Sequence, residues 1–275
     1  MTEIYENESL KIIQDKNNKT MYKIEFNYPS RSLVRSLIKT HIIQGGTLTD
    51  DYLCLRFKAL SVVPFAIFRE QHKMERGSKI LSINLAANML SSLSAQLNYL
   101  TTKEFRMIIG YAPENIIVIN GNTFAFLGSD LVAELDPVGK EMATISCPFN
   151  VTDFFASPEM LKIKELPSYI HYKNSYFSLG CLLLYALTEG SFALTEGINA
   201  STEGINASTQ DINALTEVSF DLISDVDFYK EYLKELNCNK IHEYLNQLHF
   251  KNTKLYWLLS RCLVEEPEKR SILFI

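Results

Sequence analysis

Ala112-Pro113-Glu114-Asn115-Ile116-Ile117-Val118 is the stretch on which the fold reading turns. It follows Leu81 to Thr102, whose apolar face and small-residue back predict a long helix ending at Leu97-Asn98-Tyr99-Leu100. Three further segments come after it in order. They are Phe155-Ala156-Ser157-Pro158-Glu159, then Ser175-Tyr176-Phe177-Ser178-Leu179-Gly180-Cys181, then Arg261-Cys262-Leu263 with Pro267-Glu268-Lys269-Arg270. One such segment is a weak signal, whereas four in a fixed order from residue 97 to 275 form a specific one.

Upstream, Leu10 to Asp15 and Thr20 to Phe26 read as strands around the turn Lys16-Asn17-Asn18-Lys19. Ser30 to Gln44 carries apolar residues at helical spacing and meets a stop signal at Gly45-Gly46. Tyr52 to Leu60 and Val62 to Phe68 read as two more strands. From residue 80 the pattern turns helical: Leu179 to Leu187 is apolar enough for a buried helix, and Asp225 to Leu236 and Thr253 to Val264 are amphipathic. A strand-rich first quarter and a helical remainder imply two unequal parts, residues 1–70 and 71–275. Residues 186–220 are five tandem copies of seven residues, from Ala-Leu-Thr-Glu-Gly-Ser-Phe to Ala-Leu-Thr-Glu-Val-Ser-Phe. Glycine, asparagine and threonine dominate the copies, so they predict an exposed, loosely ordered insertion instead of a heptad coiled coil.

Composition narrows the classes. With 47% hydrophobic and 21% charged residues, the chain has the balance of an ordinary folded domain. A net charge of -5 argues against a general nucleic-acid binder, which needs surplus Lys and Arg. No apolar run reaches the length of a membrane span. Five scattered cysteines without a CxxC pair predict buried reduced thiols and a cytoplasmic or nuclear setting.

Taken together, the four segments resemble protein-kinase landmarks. Ala112 to Val118 resembles the Lys-Pro-Glu-Asn-Ile-Leu end of the catalytic loop, after helix E. Phe155 to Glu159 resembles the Ala-Pro-Glu end of the activation region, Ser175 to Cys181 the start of the buried helix F, and Arg261 to Arg270 the terminal Cys-Leu…Arg pattern. The implied fold class is α+β: a bilobal protein-kinase-like fold with a small β-rich N-lobe and a larger helical C-lobe. The repeats then form a tandem-repeat insertion between helices F and G. The resemblance also implies a buried ion pair between Glu159 and Arg270. Ala112 to Asp130, where Leu-Gly-x-Asp replaces Asp-Phe-Gly, is further similar to Scyl-type trafficking pseudokinases.

Phosphoryl transfer needs a carboxylate to orient the hydroxyl, a lysine on the phosphates, and ligands for magnesium. On this alignment the base aspartate is Gly110, the loop lysine is Ala112, and the metal-binding aspartate is Gly128. The amide Asn115 remains, and Asp130 stands two positions beyond the lost carboxylate. Lys23 falls where the phosphate lysine belongs, yet Tyr28 to Thr49 holds no acidic partner for it. No glycine precedes Gly45, so no glycine-rich loop exists to wrap phosphates. The expectation is a pseudokinase: no catalytic residue, no cofactor, no metal and no nucleotide, with Lys23, Asn115 and Asp130 as residual candidates. Large residues at Phe124, Phe126 and Leu127 predict an apolar, occluded cleft.

Other chemistry falls away. The five histidines are dispersed, and Ser157 has no neighbouring His-Asp pair. The expected role is a protein-binding scaffold or allosteric regulator whose partner is a protein, without nucleic acid or membrane insertion. Two readings stay open beside it: a divergent Ser/Thr kinase or nucleotide binder using Lys23, Asn115 and Asp130, and a structural subunit of a larger assembly.

Overall fold

Leu10 and Ile12, and then Tyr22, Ile24 and Phe26, recur at every second position, and that period of two builds the first sheet. The structure is a computed structural model and describes residues 2–6, 9–28, 30–188 and 238–272. Strands β1 (Thr2–Glu6), β2 (Leu10–Gln14), β3 (Met21–Phe26), β4 (Thr47–Leu48) and β5 (Cys54–Lys58) pair antiparallel in the order β1-β2-β3-β5-β4. Helix α1 (Arg31–Lys39) lies between β3 and β4 in the chain. Ile12, Tyr22, Ile24, Leu55 and Phe57 share the buried inner face, where Tyr22 stacks on Phe57 at 6.0 Å. Lys11, Lys23, Glu25 and Arg56 share the outer face.

One strand went unforeseen here, and two sequence expectations need correction. Residues 2–6 form an edge strand, because Lys11 pairs with Glu3 and Glu6 across the outer face. Helix α1 stops at Lys39, not Gln44. Thr40, Ile42 and Ile43 are β-branched and weaken the helix, His41 turns left-handed at φ 60°, and Ile42 and Ile43 thereby reach the core. The strand expected to Phe68 ends at Pro64: β6 (Val62–Pro64) gives way to α2 (Phe65–Arg76). Its buried stripe is Phe65, Arg69 and His72, and the two polar members hid the helical period.

The remainder is not purely helical. Helix α3 (Ile83–Tyr99) is capped by Ser82, whose hydroxyl accepts from Leu85 N, and it ends in a π-turn over Leu100–Glu104. Six short strands follow: β7 (Arg106–Ile108), β8 (Ile116–Ile119), β9 (Thr123–Phe126), β10 (Val132–Glu134), β11 (Met142–Ile145) and β12 (Ser168–His171). They make a β6-β8-β9 sheet and the pairs β7-β10 and β11-β12. The β8-β9 turn uses Asn120 and Gly121, both at positive φ, as a tight hairpin demands. Asn120 Oδ1 also accepts from Leu60 N at 2.7 Å, tying down the connection between β5 and β6. The chain thus changes sheets at residues 59–61, and residue 70 lies inside α2.

Helices α4 (Pro158–Leu161), α5 (Asn174–Ala186), α6 (Cys238–Gln247) and α7 (Lys254–Cys262) complete the described residues. Every residue of α5 except Tyr176 is buried, the mark of a helix apolar on all sides. Each of its leucines contributes about 1.5–3 kcal/mol by leaving water. Gly180 lets α7 come close: a Cβ there would lie 3.0 Å from both Cys262 Cβ and Leu263 Cδ2. The chain is a mixed α+β protein with one continuous apolar core. Of the repeats, Ala186, Leu187 and Thr188 are described; 189–220 and the amphipathic stretch 225–236 lie outside the described residues. Cys54, Cys181 and Cys262 are buried as expected, whereas Cys238 is half-buried and Cys147 exposed. Among the described residues no helix is long and apolar enough to cross a membrane.

Candidate functional site

The loop after β7 is held from below by the first turns of α5. Ser175 Oγ donates to Ile108 O at 2.6 Å, Asn174 Nδ2 donates to Ile109 O, and Tyr111 N donates to Ser178 Oγ at 2.7 Å. Ser157 Oγ in turn donates to Asn174 Oδ1, and Phe155 N donates to Tyr111 O at 2.9 Å. Asn174, Ser175, Ser178 and Ser157 are all fully buried. Each such bond nets about 1 kcal/mol, and stranding a buried partner costs about 1–3 kcal/mol. Residues 108–111 are therefore a rigid platform.

Gly110 sits on that platform with no room beside it. A Cβ at Gly110 would lie 2.6 Å from Phe154 Cγ and 2.8 Å from Phe154 Cε2, inside any real carbon contact. Phe154 itself is 1% exposed, so its ring is locked in the core. Gly128 has a matching arrangement. Its Cβ would lie 2.8 Å from Phe126 Cζ and 3.1 Å from Asn115 Cγ and Nδ2. Gln96 keeps Phe126 in place: its amide donates to Phe126 O at 2.9 Å and accepts from Phe126 N at 3.0 Å. Phe126 also meets Tyr111 edge-on at 5.2 Å. Burial pushes the Tyr111 hydroxyl well above its ordinary range, and it has no hydrogen-bond partner among the described residues. Phe124, Phe126 and Leu127 are all buried.

The residual candidates do not converge. Asn115 belongs to the 3-10 turn Pro113–Asn115, packs over Gly128, and accepts from Leu127 N through its carbonyl at 2.8 Å. Ala112 is buried. Asp130 is exposed and accepts from Ser9 Oγ at 3.3 Å. Lys23 stands on the outer face of the first sheet in an ion pair with Glu25. The inner face is the one turned toward Asn115, since Tyr5, paired with Ile12, reaches Glu114 O. No group of three or more His, Cys, Asp or Glu able to hold a metal occurs among the described residues.

Glu159 and Arg270 do meet. Arg270 Nη1 donates to Glu159 Oε1 at 2.5 Å and Nη2 to Glu159 Oε2 at 2.7 Å. Its other donors reach Val264 O at 2.7 Å, Glu265 O at 2.6 Å and Lys173 O at 3.5 Å. All five guanidinium N–H groups thus have acceptors, and the group also lies 4.9 Å over the Phe177 ring. Arg270 is completely buried. Beside it, burial pushes the Cys262 thiol up to about 12, so it stays protonated.

Phe154, Gln96, Asn174, Tyr5 and Ser9 shape this region, and sequence reading did not single them out for it. The glycines at 110 and 128 were the available signal, since a glycine can mark a close approach by another group. No family model matches the chain, and neither does any curated protein.

Proposed function

We propose that this chain is a protein-kinase-like protein without phosphotransfer chemistry, acting as a protein-binding scaffold or allosteric regulator. On this reading residues 1–70 are a divergent N-lobe and residues 71–275 the C-lobe. The tract 186–220 is then an expansion between helices F and G. One observation carries the proposal: the two positions that need aspartates are glycines, and Phe154, Phe126 and Asn115 leave no space there for a carboxylate. Support for the kinase-like frame comes from Glu159 and Arg270, whose bidentate contact joins α4 to the chain after α7. The order of a long helix, a Pro-Glu-Asn turn, a β-hairpin and a buried helix agrees with it. The scattered thiols put the protein in the cytoplasm or nucleus on this reading.

Thermal melts with ATP, ADP or GTP, with and without magnesium or manganese, test the proposal. A ligand at 100 times its dissociation constant stabilises by about 2.7 kcal/mol, a readily visible shift. No shift is expected at millimolar nucleotide. A metal-dependent shift would overturn the nucleotide-free reading and move Asn115 and Asp130 into a working site.

A further inference from the structure

Strand β1 pairs with β2 through a bulge. Glu3 faces Ile13, but the next partners are Tyr5 with Ile12 and Glu6 with Lys11, so one extra residue intervenes at Ile4. In regular pairing Tyr5 would face Lys11 on the outer surface. The extra residue turns Tyr5 to the inner face and returns Glu6 to the outer one. Both consequences are occupied by contacts. Outside, Lys11 pairs with Glu3 and Glu6. Inside, the Tyr5 hydroxyl donates to Glu114 O at 3.3 Å, and Ser9 Oγ, just before β2, donates to Asp130 Oδ1 at 3.3 Å. Those acceptors lie in the two segments that flank Asn115 and Gly128. Ile4 and Tyr5 also pack against the core cluster.

We propose that β1 is a strap closed over the 112–131 site and that the site is regulated by its release. Tyr5 and Ser9 are the two fasteners, and the bulge at Ile4 aims the first of them. The strap rests on the reading of residues 110–130 as the remnant of a kinase-like cleft. Its most sensitive point is Ser9. The hydroxyl donates to a carboxylate, so a negative charge at position 9 replaces a hydrogen bond by like-charge repulsion. Release therefore responds to charge at Ser9 more than to loss of the hydroxyl alone.

Hydrogen exchange on the full chain tests this, comparing wild type with Tyr5→Phe/Ser9→Ala and with Ser9→Asp. The amides of β1 should exchange about tenfold faster in the double variant, and faster still in Ser9→Asp. Those of Asn115, Leu127 and Leu131 should accelerate in step with them. The Ser9→Asp variant should show the larger change, and α5 and α7 none. Faster exchange confined to β1, or no change at either place, would overturn the strap. If Ser9→Asp unfolds the protein, Tyr5→Phe alone carries the same paired readout at smaller amplitude. Magnesium-ATP added to the wild type separates the two claims: protection by nucleotide sinks the inactive-cleft reading, while the strap is judged by the coupling of β1 to 112–131.

Discussion

The Glu159–Arg270 contact and the Gly110–Gly128 region solve the same electrostatic problem in opposite ways. Arg270 is a full charge with no solvent exposure, and it is tolerated because a carboxylate and three carbonyls take all five donors. At Gly110 and Gly128 the nearest neighbours are uncharged: the Phe154 ring fills the space at one, and the Phe126 ring and the Asn115 amide fill it at the other. An aspartate buried at either place without a cation would be an unpaired charge, which folding penalises heavily. Glycine at both positions avoids that penalty, and the aromatic rings packed beside them bury apolar area instead. A buried charge is tolerated where its hydrogen bonds are complete, as at Arg270, whereas the tight contacts at Gly110 and Gly128 are made by uncharged groups.

The largest expected effect lies at the anchor. Arg270→Ala should cost about 3–5 kcal/mol, because it strands Glu159 in α4 and leaves a cavity against Phe177. That is a large share of a typical stability of about 5–15 kcal/mol, so urea unfolding of the purified variant should show a clear midpoint shift. Arg270→Lys should recover little, since one ammonium cannot reproduce the two-pronged contact. A loss below about 1 kcal/mol for Arg270→Ala would break the comparison.

A smaller effect is expected at the filled positions. Gly110→Ala should destabilise by about 1–3 kcal/mol, the usual range for forcing extra atoms into a packed core, and Gly110→Asp should cost more because its carboxylate would be buried as well. Phe154→Ala should itself be costly through its cavity. The Gly110→Ala/Phe154→Ala double variant should be more stable than the sum of the two single losses implies, with a coupling of about 0.5–3 kcal/mol. Additive losses would mean that Phe154 is not what excludes a side chain at position 110.

Legibility in the sequence followed how local each cause was. Strands β2 and β3 were readable because Leu10 and Ile12, and then Tyr22, Ile24 and Phe26, recur at every second position, with Ile13 the one break in the pattern of β2. Helix α5 was readable because Leu179 to Leu187 is apolar throughout. Strand β1 was hidden, since Glu3 and Glu6 find their use only against Lys11 on the next strand. Helix α2 was hidden because Arg69, buried over the Tyr185 ring at 4.0 Å, breaks the apolar stripe. The hairpin of β8 and β9 was announced by Asn120-Gly121, a turn signal that went unused. At the site, the glycines at 110 and 128 were visible as departures from the kinase pattern that the flanking segments resemble. That Phe154, some 44 residues downstream, closes the first of them depends on tertiary packing and on no local pattern.

The smallest expected effect is a pH dependence at the edge of the anchor. His171 Nδ1 accepts from Lys173 N at 3.1 Å, and Lys173 O accepts from Arg270. Its ring stacks on Tyr172 at 4.8 Å. Burial holds the His171 imidazole below its ordinary range, and the attraction of Glu268 and Glu141 only partly offsets this. A histidine whose folded pKa is depressed binds its proton more readily when unfolded. Its neutral form thus supports the fold above about pH 6.5, and that support drains away as pH falls through the lower folded value. Protonation also ends the bond from Lys173 N and adds a cation near Arg270, so the loss is felt at the anchor itself. Melting temperature measured from pH 7.5 to 5 should decline in the wild type, and His171→Phe should make the decline shallower. An unchanged slope in that variant would assign the pH response elsewhere and leave the anchor insensitive to this neighbour.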